Sequence, residues 1–165
     1  MDVHIYGKCG KHKCSRDNET ACMVQAEQNY RFYFSFENSI CDDYVTEKFF
    51  NVMKYSIVPV TYGGADLEKL GAPPHSHVDA MKLGSPELVA KHLKILQDDD
   101  AKFAEYFWWK DFYEVRDRPE DRAQPYCDLC MRLHNANEPP KVYENMYKWW
   151  VSESHCKRLR TSKLV

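Results

Sequence analysis

The apolar positions of the chain follow two different spacings. Residues 31–36, Arg-Phe-Tyr-Phe-Ser-Phe, make an aromatic-rich run of strand length, whereas Val45, Phe49, Val52 and Met53 recur at helical spacing. Short apolar runs at 3–6, 57–62 and 76–79 read as three further strands. A helix over 46–55 separates the second strand from the third, and that alternation predicts an α/β fold with a parallel sheet. Ser85 and Pro86 fit the N-cap and first position of a helix running to about residue 97, with Leu88, Val89, Leu93 and Leu96 turned inward. Asp98, Asp99 and Asp100 open a further helix in which Phe103, Tyr106 and Phe107 form an aromatic face. The charged stretch 116–125, punctuated by Pro119 and Pro125, reads as a loop, and 142–156 as a last helix. Trp149 and Trp150 in that helix read as packing residues, with sugar contact by an exposed ring face as the alternative. There is no internal repeat and no low-complexity segment.

This pattern leaves residues 37–46 as a loop at the carboxyl end of a parallel strand, which is where α/β domains bind nucleotides. Lys48 falls in the first helical turn, where the macrodipole disfavours a cation and free N–H groups favour an anion. A bound phosphate reverses that mismatch. Glu47 offers a carboxylate to two vicinal hydroxyls, Asn38 can donate and accept, and Tyr44 adds a phenol and a stacking face. Each residue alone has an ordinary reading, as a solvated first turn capped by Thr46 or Asp43 with Asn38 closing a turn. Their concentration at one junction favours a ligand site. The turn Tyr62-Gly63-Gly64 follows the third predicted strand on the same edge, and glycines there permit positive φ and close approach of backbone to a ligand. Gly63 is a secondary candidate, an ordinary turn being the commoner explanation.

Composition narrows the classes. With 165 residues and 44% hydrophobic content the chain can bury one core, consistent with a single domain. A formal net charge of −2 argues against a nucleic-acid-binding surface, the only basic run being the tail 157–163. No stretch approaches the ~18 to 20 apolar residues of a membrane span, and the N-terminus lacks a signal-peptide pattern. Seven cysteines and the sequon Asn18-Glu19-Thr20, a candidate glycosylation site, nevertheless suit an oxidising lumen. The three aspartates at 98–100 formally satisfy an Asp-x-Asp metal motif, but their place between two helices fits a loop and N-cap better. Cys127-x-x-Cys130 has zinc-knuckle spacing, yet Cys9, Cys14 and Cys22 supply no matching knuckle, so disulfides are the favoured fate over a zinc or redox site.

The string Phe36-Glu37-Asn38-Ser39, then Asp43-Tyr44, then Thr46-Glu47-Lys48, followed by a helix and Val58-Pro59-Val60, resembles the donor-binding signature of the α1,3-fucosyltransferases. The resemblance extends to Tyr6-Gly7-Lys8-Cys9-Gly10 upstream, and to Ser85-Pro86-Glu87-Leu88 and Cys127-Asp-Leu-Cys130 downstream. Its cysteine-rich start is most similar to the invertebrate and plant enzymes that fucosylate the N-glycan core. The resemblance implies a Rossmann-like half of a GT-B glycosyltransferase, with 1–115 as the GDP-fucose-binding part. Residues 116–165 would then be a loop, the Cys-x-x-Cys segment and a terminal helix packed on the same domain. It implies inverting transfer of fucose from GDP-fucose to N-acetylglucosamine of a glycoprotein glycan in α1,3 linkage. No metal or cofactor is implied.

By the same resemblance Lys48 meets the diphosphate, Glu47 holds the ribose, and Asn38, Tyr44 and Tyr33 shape the pocket, with Gly63 at its border. The general base is a glutamate of an acceptor-side domain that this chain lacks, and an arginine assisting the phosphates lies upstream of Met1. No catalytic base is therefore expected here, Glu37 at the strand end being a structural residue. Cys127 and Cys130 are implied to tie back to the acceptor-side domain, leaving Cys9, Cys14 and Cys22 to bridge locally. The implied location is the Golgi lumen, as part of a single-pass type II membrane protein whose anchor is not in this chain. The alternative is a non-catalytic nucleotide-sugar binding module.

Overall fold

Three parallel strands form the centre of the structure, a computed structural model that describes residues 2–7, 10–14, 18–116 and 119–157, the side chains of 119–122 excepted. Strands β1 (Phe32–Phe36), β2 (Val58–Tyr62) and β3 (Val78–Asp79) lie in the order β1-β2-β3. The register pairs Phe32 with Val58 and Phe36 with Tyr62, and Val60 with Val78. Val58 and Val60 are wholly buried, as β-branched residues of a covered parallel strand should be. Pro59 is also buried in this central strand. Val58 donates to the Arg31 carbonyl on the β1 side, so alternation turns the Pro59 nitrogen to the other side, ahead of the two residues that β3 supplies. No ladder bond is lost there.

Helices α1 (Glu19–Asn29), α2 (Glu47–Met53), α3 (Ala80–Leu83), α4 (Pro86–Asp98), α5 (Asp100–Ala104) and α6 (Pro119–His134) accompany the sheet, with a 3-10 helix at Glu105–Asp111. On one side Val58, Val60 and Val78 pack with Val89, Leu93 and Leu96 of α4 and with Tyr106. Elsewhere Phe49 and Met53 of α2 pack with Leu67, Ala72 and Trp109, while Val52 joins Met23 of α1 and Ile57. Ser85 caps α4 by accepting from the Leu88 N–H, and Asp99 caps α5 by accepting from the Lys102 N–H. The acidic run at 98–100 thus ends one helix and starts the next. Among the described residues no group of three or more His, Cys, Asp or Glu is placed to hold a metal ion. Among them, too, no helix is long and apolar enough to cross a membrane.

The structure departs from the sequence pattern in five places. Residues 3–6 form no strand; Tyr6 makes only an isolated bridge to His12, so among the described residues the sheet has three strands and not four. Helix α1 is unanticipated because it buries only Met23 and has no apolar stripe; Asn18 Oδ1 caps it by accepting from the Ala21 N–H. Leu88 is exposed, since the inward row Val89, Leu93, Leu96 runs along the neighbouring face. Most of the stretch 116–125, expected to be a loop, lies in α6. Pro119 occupies its first position, where a missing N–H costs nothing, and Pro125 is carried inside. In place of a helix over 142–156 there is a single π-type turn at Lys148–Ser152, whose start Asn145 fixes by accepting from the Lys148 N–H. Trp149 lies against both Trp150 and Tyr143, and the two tryptophans stay partly exposed, outside the core.

His77, between β2 and β3 in sequence, sets its ring edge-on to Phe49. Burial lowers its pKa from the ordinary value, against the pull of the Asp79 carboxylate. The folded form therefore stays neutral at pH values where the unfolded chain has already taken up a proton, so stability falls as pH falls through the range below ~6.5. Denaturant midpoints measured from pH 7.5 to pH 5 are expected to drop, and His77→Gln to remove part of that slope; an unchanged slope would remove His77 from the account.

Candidate functional site

Glu37 directly follows β1, and its N–H extends the ladder by donating to the Tyr62 carbonyl at 2.9 Å. Its side chain is only 6% exposed, so its carboxylate needs partners, and all of them come from the start of α2. Oε1 accepts from the Thr46 N–H at 2.8 Å, and Oε2 accepts from the Thr46 hydroxyl at 2.8 Å. Lys48 Nζ donates to Thr46 Oγ1 at 2.8 Å and lies 3.4 Å from Glu37 Oε2 and 3.6 Å from Glu47 Oε1. Desolvation works against the ammonium, but Glu37, Glu47 and the hydrogen bond to Glu37 outweigh it and hold the Lys48 pKa above its ordinary value. Lys48 is thus favoured in its charged form. Glu47 is 67% exposed and, among the described residues, makes no other ion pair at the junction. Tyr44 Oη donates to Asn38 Oδ1 at 2.8 Å, which leaves the Asn38 amide N–H groups directed elsewhere.

Glu37, Thr46, Glu47 and Lys48 therefore form one connected group, with the Asn38–Tyr44 pair on the loop between them. Thr46 sits at the N-cap but makes no side-chain cap bond, its hydroxyl being committed to Glu37 and Lys48. Asp43, the other expected cap, instead takes a left-handed turn conformation with φ of 56°. The seven residues of α2 give only a short dipole, so the anion preference of this junction rests on Lys48 more than on the helix end. Tyr33 stands apart. Burial and then the Glu19 carboxylate of α1 raise its pKa above the ordinary value.

Neither Gly63 nor Gly64 has the positive φ for which the pair was a candidate. They serve close approach, to the loop itself. A Cβ on Gly63 would meet Glu37 Cγ at 3.2 Å, and one on Gly64 would overlap the Cys41 carbonyl oxygen at 2.2 Å. Beside them a small recess at the strand ends takes Ser35 from β1, Thr61 from β2 and Asp79 from β3 into its lining. Ser35 Oγ is buried there without a hydrogen-bond partner in the structure.

The loop is held from outside by the C-terminal segment. Cys41 is disulfide-bonded to Cys156, a pairing absent from the sequence expectations because 115 residues separate the two. Around it the Asp42 N–H donates to the Ser154 carbonyl at 2.8 Å, the Lys157 N–H donates to the Ile40 carbonyl at 2.7 Å, and His155 Nδ1 contacts Asp42 Oδ2 at 2.8 Å. A second disulfide joins Cys14 to Cys22 and fastens the segment before α1 to that helix. Cys127 and Cys130 are exposed and unbridged on α6, and Cys9 lies outside the described residues.

Residues 1–149 match the family model for glycosyltransferase family 10 (fucosyltransferase), C-terminal part. The chain is similar to "Alpha-(1,3)-fucosyltransferase C" of Drosophila melanogaster, 40% identical over 154 residues, covering 92% of this chain and 35% of that protein. It is similar also to "Glycoprotein 3-alpha-L-fucosyltransferase A" of the same fly, 34% identical over 160 residues, covering 94% and 31%. "GDP-fucose protein O-fucosyltransferase 3" of Danio rerio is 28% identical over 188 residues, covering 94% and 39%. The chain spans about a third of the length of the curated relatives it matches.

Two substitutions probe the junction. Cys156→Ser is expected to cost about 2 to 5 kcal/mol and to raise amide exchange at 40–44 more than in β1 and β2. Equal protection across both regions would mean that the bridge does not hold the loop. Gly64→Ala is expected to destabilise by about 1 to 3 kcal/mol and Gly63→Ala by less, read from denaturant midpoints.

Proposed function

The chain belongs to glycosyltransferase family 10, the fucosyltransferases, and on that premise we propose that it is the donor-binding part of an α1,3-fucosyltransferase using GDP-fucose. The acceptor in this reading is N-acetylglucosamine of a glycoprotein glycan, and the reaction inverts the anomeric centre. The observation that carries it is Lys48, an ammonium fixed by Thr46 and Glu37 at the carboxyl end of a parallel sheet. The three-stranded sheet and its helices fit one half of a GT-B enzyme.

Displacement of a nucleoside diphosphate through an oxocarbenium-like transition state builds negative charge on the leaving phosphate. A cation placed there stabilises that charge more in the transition state than in the ground state. Lys48 fills the role and takes part of the charge that a divalent ion would otherwise balance; we propose that no metal is needed. Glu47, exposed beside it, can accept from the two ribose hydroxyls. Asn38, with its carbonyl satisfied by Tyr44, has N–H donors for a sugar or phosphate oxygen.

The charges also mark what the junction does not supply among the described residues. Lys48 faces two carboxylates within 4 Å, so it cannot by itself offset a diphosphate, and a further cation is required. A general base for the acceptor hydroxyl is required as well. Glu37 cannot be that base, because both its oxygens are occupied by the start of α2. In our reading both groups come from outside this chain, in a membrane-anchored protein of the Golgi lumen. The engagement of Glu37 also favours a second reading for the chain taken alone, a nucleotide-sugar binding module without transfer activity.

Calorimetric titration with GDP, and UDP as control, tests the donor site. GDP is expected to bind weakly and in preference to UDP. Lys48→Ala and Glu47→Ala are each expected to weaken it by the ~1.5 to 3 kcal/mol of a hydrogen bond to a charged group. A chain shown to be folded by circular dichroism that binds neither nucleotide would exclude the donor-domain reading.

A further inference from the structure

We propose that Glu37 is a positioning residue, which fixes the Lys48 ammonium for its anionic ligand by clamping the start of α2 onto the end of β1. The inference rests on the donor reading above for what Lys48 meets, but the clamp itself is a property of the unliganded chain.

The first turn of α2 lacks the means to fix itself. In a capping box the residue at the third helical position reaches back to the N-cap N–H. Here Thr46 is the N-cap and the third position is Phe49, which is buried in the core. The N–H of Thr46 is taken instead by Glu37, nine residues earlier and on another element. Glu37 is in turn held through its own N–H on the Tyr62 carbonyl, so the anchor belongs to the sheet. Gly63 leaves the space for its side chain, since a Cβ there would press on Glu37 Cγ.

What the clamp delivers is a lysine with fewer choices. A lysine side chain is a flexible stem with three rotatable donors. Two directions of the Lys48 ammonium are taken, one by Thr46 Oγ1 at 2.8 Å and one by Glu37 Oε2 at 3.4 Å. The Thr46 hydroxyl relays the two, accepting from Lys48 while donating to Glu37. The third faces Glu47, which is largely exposed and can turn away when a ligand arrives. Side-chain ordering ahead of binding lowers the entropic cost at the moment of binding. Glu37 is thus the fixed counter-charge and Glu47 the exchangeable one.

The test uses the whole chain and two readouts. In the first, lysine acylation by a succinimidyl ester is followed residue by residue by mass spectrometry near pH 9, without ligand. Glu37→Gln removes a counter-charge and frees the amine, so Lys48 is expected to react several-fold faster, while the remote lysines Lys69 and Lys94 keep their rates. Thr46→Val, which removes the relay but leaves the Glu37 bond to the backbone N–H, is expected to give a smaller rise. It serves if Glu37→Gln does not fold. An unchanged Lys48 rate in the folded variants overturns the proposal.

The second readout is GDP affinity in a double-mutant cycle. Glu37→Gln is expected to weaken binding about tenfold, on the scale of one charge-assisted hydrogen bond, and to add nothing in a Lys48→Ala background. Equal weakening in both backgrounds would show general destabilisation of the site and overturn positioning. Acceleration of Lys48 acylation in a chain that binds no GDP would support the clamp and remove the donor reading alone.

Discussion

The parallel pairing of β1 with β2 is the constraint from which the junction follows. Its register places Ser35 beside Thr61 and Phe36 beside Tyr62, so both strands end at the same level. Glu37 then emerges opposite the turn at Gly63 and Gly64. Slippage by one residue would send every side chain of one strand to the other face and put Glu37 on the wrong side of the turn. Burial of Val58 and Val60 resists such slippage, because it would carry both out of the core that α4 completes.

At the end of that sheet the protein keeps a carboxylate nearly out of water and spends its hydrogen-bonding capacity on one target. A buried charge left unpaired is costly, and a buried pair is not by itself a source of stability. The arrangement is better understood as specifying geometry. Strand, loop and helix meet through a single carboxylate, and the only cation at the meeting point is tied to it among the described residues. A ligand that needs a cation finds it in one place and one orientation.

Much of this was legible along the chain, and the failures have local causes. Strands β1 and β2 show in the sequence as short aromatic and β-branched runs, β2 buried along nearly its whole length and β1 through the partly buried Phe32 and Phe34, while helices α2 and α4 each bury a periodic apolar set, and the Ser85-Pro86 cap marks the start of α4. Helix α1 does not show, because a cap at Asn18 and a bridge from Cys22 to Cys14 hold it more than any apolar face does. The run at 3–6 has strand composition but gains no partner beyond one bridge. The prolines that suggested a loop at 116–125 fall where a helix accepts them, at its first position and once inside. At the site, the identity of Lys48 and Glu47 could be read from their place in the pattern. The roles of Glu37, Thr46 and Gly64 could not, since each depends on contacts across a turn or between elements. Cys41 sits within the motif, yet its partner lies far beyond any local pattern.

That distant partner has a consequence for how the molecule comes into being. A chain emerging from the ribosome presents β1, the loop and α2 early, when α4 and the rest of the core are still unmade. The strap over the loop, however, runs through Ser154, Cys156 and Lys157. The loop between Asn38 and Tyr44 can therefore be fastened only after all the other described elements have been synthesised, and only where thiols are oxidised to disulfides. Until then the segment that carries the charged groups is open to proteases and to mispairing of Cys41 with any of the five other cysteines that precede Cys156.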